Sequence, residues 1–182
     1  MSDLSILDQM IRDSAKVTLQ KEYEKHVVVL NEPKAPASSV KISGMPSDAI
    51  VINVDSFFSP ETIFSGSKGE CKRADYLIVS EERQCVVYIE LKETKGPENE
   101  IIDQLRGAKC FMRYCQEIGK SFWLERDFLE GYAHRFVSVT HTGSKKSQTR
   151  VDRQRGVHDA PEKLMKMHCP HYLQFNHLAG AK

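Results

Sequence analysis

The stretch DYLIVSEERQCVVYIELK, residues 75–92, is the most informative segment of the chain. It consists of two apolar, β-branched runs joined by a short polar segment, a pattern that is typical of a β-hairpin. If Val79 pairs with Val86, the same register places Asp75 opposite Glu90. Directly opposed residues of an antiparallel pair share a face, with Cβ atoms about 4.5–5.5 Å apart. The hairpin therefore predicts two neighbouring carboxylates at its open end.

A lysine is predicted to join these carboxylates, because Glu90 and Lys92 lie two residues apart in a strand and so project from the same face. Close carboxylates raise each other's pKa, and a cation between them removes that penalty. Oxygen ligands favour Mg²⁺ or Mn²⁺, which polarises a phosphoryl oxygen while the lysine stabilises the developing charge. The sequence thus predicts a site for phosphodiester hydrolysis, with Asp75 and Glu90 as the metal ligands.

The main alternative for these residues is an ordinary salt bridge on a sheet edge. Glu-x-Lys occurs four times in the chain, so the tripeptide alone carries little information. The pair Glu90 and Lys92 differs from the other three because it ends an apolar strand, with Asp75 opening the preceding strand. This context favours the metal site.

Outward from the hairpin, residue periodicity predicts a mixed α/β (α+β) fold. Helices are expected over residues 4–25 and 100–118, with Gly119 ending the second, and a helical turn over 162–167. Further strands are expected over 26–30, 49–54, 135–140 and 172–178, and loops over 31–39 and 143–156. The apolar face of the second helix is expected to comprise Ile101, Leu105, Ala108, Met112 and Cys115.

Composition fits one globular domain over residues 1–182, since 40% of the residues are hydrophobic and 28% are charged. The net charge is only +1, so any attraction to nucleic acid must come from local patches. None of the five cysteines forms a C-x-x-C pair, which is typical of reduced thiols in a cytoplasmic protein. No apolar run approaches the roughly 20 residues of a membrane span, so no membrane association is expected.

The segments 73–78 and 88–92 resemble the core of the PD-(D/E)xK nuclease superfamily, which includes restriction endonucleases and repair, recombination and phage-defence nucleases. The following helix carries Gln104, similar to the glutamine motif of the RecB-like and viral exonuclease-like branches. The resemblance covers about residues 69–118. Two positions depart from the pattern, since Ala74 replaces the motif proline and Ala108 stands where the RecB-like pattern has tyrosine.

The resemblance implies a restriction endonuclease-like core of about four strands flanked by helices. It implies that Asp75 and Glu90 bind Mg²⁺ or Mn²⁺, that Lys92 positions the attacking water, and that Gln104 orients the site or approaches the substrate. The expected activity is nucleic-acid cleavage, with a DNA endonuclease in phage defence or restriction favoured. A homodimer or a partner protein would supply targeting. The alternative is a non-catalytic nucleic-acid-binding or scaffold subunit of a larger nuclease complex.

Three further groups of residues are weaker candidates. Some members of the superfamily add an acid from the first helix, for which Glu22 or Glu24 is available here. A basic loop is the candidate phosphate-contacting segment, although such loops are often merely solvated. Its basic residues are Lys145, Lys146, Arg150, Arg153 and Arg155. A zinc site is left open for His168, Cys169, His171 and His177, whose spacings match no standard zinc module.

Overall fold

A six-stranded mixed sheet lies between a helical layer on one face and a four-stranded sheet on the other. The computed structural model describes residues 1–32, 35–56, 58, 60–94, 96–140, 157–168 and 172–180, with only the backbone described for 35–38. One apolar cluster joins the two longer helices to the six-stranded sheet, and a second, which includes the short C-terminal helix, joins the two sheets. The predicted mixed α/β (α+β) fold is confirmed, and the main sheet has more strands than the roughly four expected of its core.

The elements follow one another in this order. The helices are α1 (Asp3–Met10), α2 (Glu98–Phe122) and α3 (Phe175–Ala179), with short 3₁₀ turns at Asp13–Ala15, Pro60–Thr62 and Pro161–Lys163. The strands are β1 (Lys16–Val17), β2 (Gln20–Glu22), β3 (Lys25–Glu32), β4 (Ala35–Met45), β5 (Ile50–Asn53), β6 (Tyr76–Ser80), β7 (Cys85–Lys92), β8 (Ala133–Thr140), β9 (Met165–His168) and β10 (Tyr172–Gln174). The larger sheet has the order β1-β5-β6-β7-β8-β9 and the smaller β10-β4-β3-β2.

The hairpin of β6 and β7 has the predicted register, with Val79 opposite Val86 and Tyr76 opposite Ile89. Strand β7 is buried on both faces because alternate residues enter the two apolar clusters. Tyr88 packs in the helical layer, and Ile89 packs between the sheets. A strand buried on both faces needs a continuous apolar run, which explains the composition of this segment.

The first helix is much shorter than predicted, because it ends at Met10 rather than at residue 25. The residues that follow form β1, which pairs with β5, and β2, which pairs with β3. Tyr23 lies in the β2–β3 turn at a φ of 53°, which no helix accommodates. Sheet pairing with distant strands therefore overrides the local helical periodicity.

The predicted loop over 31–39 is also corrected, since β3 continues to Glu32 and β4 begins at Ala35. The pairing of these strands jumps from Asn31 opposite Ser39 to Glu32 opposite Ala35. Pro36 falls within this jump, where its missing N–H removes no bond from the β3–β4 ladder. The prolines predicted a loop, and the sheet accommodates Pro36 as an irregularity, while Pro33 lies outside the described residues.

Helix α2 has the predicted apolar face, whose five residues are all buried. It does not end at Gly119 but continues to Phe122. A Cβ on Gly119 would lie 2.2 Å from the ring of Phe128, so this glycine permits close packing rather than termination. Long as α2 is, neither it nor any other described helix is apolar enough to cross a membrane.

The C-terminal predictions are partly corrected. The helical turn is the 3₁₀ turn Pro161–Lys163, and β9 follows it beside β8 in a parallel pairing. The last predicted strand is limited to Tyr172–Gln174, after which α3 begins. The predicted loop over 143–156 lies outside the described residues.

Candidate metal-dependent active site

A pocket of about 220 Å³ opens where β6 begins and β7 ends. Its volume is below the roughly 300–1,000 Å³ of small-molecule sites, and suits ions, waters and a phosphate group better than a large apolar ligand. The pocket is lined by Glu32, Asp55, Asp75, Glu90, Leu91, Lys92, Glu93 and Gln104. The four residues predicted for the catalytic site are therefore brought together in one pocket.

Asp75 lies directly before β6 and is 7% exposed. Its Oδ2 accepts a hydrogen bond from the backbone N–H of Leu91 at 2.7 Å, which ties the start of one strand to the end of its neighbour. The pKa of Asp75 is raised to about 7, chiefly by burial, and the hydrogen bond from the Leu91 N–H opposes the rise in part. The charges of Glu32 and Asp55 contribute to the rise, and the charge of Lys92 opposes it. Asp75 is thus a buried acid for which no full-charge partner is close enough to offset burial.

Glu90 is more deeply buried, with 1% exposure. Its Oε1 lies 2.8 Å from the Nζ of Lys92, while its Oε2 has no hydrogen-bond partner in the described part of the chain. Burial and then the charge of Asp75 raise the pKa of Glu90 well above its ordinary value, and Lys92 only partly opposes them. A buried acceptor without a partner costs about 1–3 kcal/mol, so this oxygen requires an explanation.

Lys92 extends from the end of β7 with 22% of its side chain exposed. Burial lowers the pKa of Lys92, but the charge and hydrogen bond of Glu90 raise it, and the net pKa is raised. The lysine therefore keeps its proton at neutral pH. It is placed to act as a fixed cation rather than as a base.

Gln104 reaches the pocket from α2, and its Oε1 is buried with no partner among the described residues. The helix approaches the chain just before Asp75 because Gly107 lies one turn after the glutamine. A Cβ on Gly107 would lie 1.6 Å from the carbonyl oxygen of Lys72, so only glycine permits this contact. Sequence reasoning identified the glutamine but overlooked the glycine.

Three acids of the pocket were not predicted, namely Glu32, Asp55 and Glu93. Glu32 ends β3 and Asp55 follows β5, just as Glu90 stands at the end of β7. Acids at the ends of apolar strands were therefore the available signal. The position of Asp55 is supported by Arg73, whose Nε and Nη2 donate to the backbone oxygen of Asp55 at 3.3 and 3.2 Å.

Other predicted residues do not join this site. Glu22 forms an ion pair with Lys41, and Glu24 is exposed in the β2–β3 turn, so neither acid lines the pocket. Among the proposed zinc ligands, His168 and His177 are exposed. Outside the described residues lie Cys169, His171, Lys145, Lys146, Arg150, Arg153 and Arg155.

The donor atoms fit a hard divalent cation held partly by water. Within the described ranges, no three or more His, Cys, Asp or Glu side chains are arranged to hold a metal ion by themselves. Asp75 and Glu90 instead offer two carboxylates, and Mg²⁺ commonly takes one or two carboxylates and fills its other positions with water and substrate phosphate. The unpaired Oε2 of Glu90 is the atom that such an ion would satisfy.

Comparison of the chain with protein-family models, with curated proteins and with solved structures gives no match. The site is therefore interpreted from its own residues.

Proposed function

We propose that this protein is a divalent-metal-dependent nuclease that hydrolyses phosphodiester bonds. The observation that carries the proposal is the buried, unpaired Oε2 of Glu90 in a pocket shared with Asp75, Lys92 and Gln104. A buried salt bridge that serves stability alone needs additional hydrogen bonds to its remaining lone pairs, and this oxygen has none among the described residues. The oxygen is suited to a cation that arrives from solution.

Each residue has a separate task in this proposal. Asp75 and Glu90 hold Mg²⁺ or Mn²⁺, which, when bound, polarises a phosphoryl oxygen and acidifies water. Lys92 keeps its proton and stabilises the negative charge that develops on the phosphoryl oxygens. The unpartnered Oε1 of Gln104 accepts a hydrogen bond from the attacking water and so orients it.

The resemblance to PD-(D/E)xK nucleases supports DNA as the polymer and internal cleavage as the mode of action. It likewise supports a role in phage defence or restriction, with targeting by a homodimer or a partner protein. The pocket itself recognises only the phosphodiester group, which DNA and RNA share. The choice of polymer is therefore a separate measurement.

The test is cleavage of supercoiled plasmid, linear duplex, single-stranded DNA and RNA by the purified protein. Each substrate is incubated with Mg²⁺, Mn²⁺ or EDTA, and the wild type is compared with Glu90→Gln and Lys92→Ala. The matched control is Glu130→Gln, which neutralises the carboxylate of an exposed ion pair with Lys120. We expect metal-dependent cutting that both pocket variants lose and the control retains.

The outcomes separate the alternatives. Nicking of closed circles identifies an endonuclease, whereas cutting of linear substrates only identifies an exonuclease. Cutting that survives both pocket substitutions places the chemistry elsewhere and overturns the proposal. No cutting of any substrate by the wild type also overturns it, in favour of a non-catalytic nucleic-acid-binding or scaffold subunit.

A further inference from the structure

The smaller sheet contributes to the pocket of the larger one through Glu32. This residue ends β3, a strand of the four-stranded sheet, yet it lines the same pocket as Asp75 and Glu90. The two sheets pack face to face through an apolar cluster, and apolar contacts are non-directional. Two hydrogen bonds hold this end of β3 against the larger sheet.

The hydroxyl of Tyr76 forms two hydrogen bonds with the backbone of Asn31, and this pair of bonds is called the clamp below. The hydroxyl of Tyr76 donates to the backbone oxygen of Asn31 at 2.6 Å and accepts from its backbone N–H at 3.3 Å. Tyr76 is 4% exposed and directly follows Asp75, while Asn31 directly precedes Glu32. The clamp therefore joins the neighbours of two pocket acids and sets their separation.

The backbone of β3 is prepared for this clamp by the irregularity in its pairing. The β3–β4 register breaks between Asn31 and Glu32, at the residue whose backbone Tyr76 engages. A regular ladder would use strand backbone groups for pairing, and a break re-aims the side chains beyond it. The register break and the hydrogen bonds to Tyr76 of the other sheet therefore fall on the same residue, Asn31.

Glu32 shares the pocket with the two acids that are proposed to hold the cation. The three residues line one volume of about 220 Å³. They do not form a ready-made three-ligand group in the described part of the chain. A carboxylate that lines the pocket without completing such a group is suited to the water shell that Mg²⁺ retains on binding.

We propose that Glu32 is an outer ligand of the site, which accepts hydrogen bonds from the waters of the cation held by Asp75 and Glu90, and that Tyr76 is its positioning residue. This inference rests on the proposed cation site. It makes the four-stranded sheet a working part of the site rather than a support. Carboxylates that orient a metal site from outside the inner ligands typically contribute about 10–100-fold in affinity or activity.

The experiment measures binding of Mn²⁺ and of Mg²⁺ by isothermal titration calorimetry, without any nucleic acid. The variants are Glu32→Gln, which removes the charge and keeps the shape, and Tyr76→Phe, which removes the clamp and keeps the ring. The matched control is Glu22→Gln, which removes a charge from the same sheet outside the pocket. Glu90→Gln reports on the inner site, and thermal unfolding of each metal-free variant reports on the fold.

We expect a Kd about 10-fold higher for Glu32→Gln and about 3-fold higher for Tyr76→Phe, with no change for Glu22→Gln. Unchanged affinity in the first two variants overturns the inference, provided that Glu90→Gln abolishes binding. If Glu90→Gln also binds like the wild type, the proposed cation site fails as well. Tyr76→Phe is compared with Glu32→Gln in the same way. If Tyr76→Phe weakens cation binding and also lowers the unfolding temperature, while Glu32→Gln binds the cation normally, the Tyr76–Asn31 hydrogen bonds stabilise the fold only. That result overturns the positioning role of Tyr76.

Discussion

The two ends of the β6–β7 hairpin differ in how their carboxylates are hydrogen-bonded and buried. Asp48 at the turn end is half-buried, whereas Asp75 and Glu90 at the open end are buried. At the turn end, Asp48 accepts hydrogen bonds through both oxygens, from the Oγ of Ser80 at 2.9 Å and from the N–H of Glu82 at 2.7 Å. Ser80 Oγ in turn accepts from the N–H of Arg83 at 3.2 Å. At the open end, Asp75 and Glu90 are crowded together, and one buried oxygen of Glu90 has no partner in the described structure.

We interpret this difference as one between a structural polar group and the proposed functional site on the same pair of strands. The turn end satisfies its carboxylate locally and so lowers the free energy of the folded chain. The open end keeps two acids in a poorly solvated place, which raises that free energy. Proteins commonly retain such a cost at sites where stability is exchanged for activity. The comparison predicts that substitutions at the two ends have opposite consequences.

The largest effect is expected for Glu90→Gln, on activity and not on stability. The amide keeps the shape of the side chain but removes the charge that holds the cation. We expect cleavage to fall by at least about 100-fold, the effect typical of lost electrostatic stabilisation at a reaction centre. The unfolding temperature of the metal-free variant should equal or exceed that of the wild type. A clearly lower unfolding temperature would mean that Glu90 stabilises the fold, as Asp48 does, and would contradict the contrast between the two ends.

The next largest effect is expected for Gly107→Ala, which tests whether the pocket depends on the close approach of α2 to the chain before Asp75. The added Cβ would lie 1.6 Å from the Lys72 carbonyl oxygen, so α2 or the preceding chain must move. We expect destabilisation of about 1–3 kcal/mol, as for other overpacked sites, together with weakened cation binding. Denaturant unfolding and calorimetry measure the two effects. Gly96→Ala is the control, because a Cβ there meets no atom within 4 Å.

A smaller effect, confined to stability, is expected for Asp48→Ala at the turn end. The substitution leaves the Ser80 hydroxyl and the Glu82 N–H without their acceptor, and should cost about 1–2 kcal/mol. Chemical denaturation measures this loss, and calorimetry should show unchanged Mn²⁺ affinity. A change in affinity comparable with that of Glu90→Gln would remove the distinction between the two ends.

A further effect, on stability alone, is expected in the pH dependence of the metal-free protein and in its reduction by Asp75→Asn. The pKa of Asp75 is raised from its ordinary 3.8 to about 7, so the folded chain keeps a proton that the unfolded chain releases. The stability of the metal-free wild type should therefore fall as pH rises from about 4 to 7. Asp75→Asn should reduce this slope, although Glu90, whose pKa is also raised by burial, keeps part of it. The variant should be more stable than the metal-free wild type at pH 8.

Added Mn²⁺ sharpens the same measurement. It should stabilise the wild type most at high pH, where Asp75 is ionised, and should not stabilise Asp75→Asn. Thermal unfolding between pH 4 and 8, with Mn²⁺ or EDTA, measures both trends. A wild-type stability that rises with pH in EDTA would contradict the raised pKa and the contrast built on it.

Sequence alone determined the parts of this protein that depend on neighbours along the chain. The strands β6 and β7, their register, and the juxtaposition of Asp75 with Glu90 and Lys92 follow from alternation across a short hairpin, where little freedom remains. The apolar face of α2 followed from helical periodicity. These predictions were confirmed because each compares residues within a single element or between adjacent ones.

Only the tertiary structure decided what depends on distant pairing. It shortened the first helix, because β1 and β2 pair with β5 and β3, and no local pattern contains that competition. It brought Glu32 to the pocket from a second sheet. It also gave Gly107 and Gly119 their packing roles on α2. Asp75, Glu90 and Lys92 could be predicted from sequence because they lie in one hairpin, whose strands are adjacent in the chain. The residues around them come from elements that are far apart in the chain, so no local pattern predicts them.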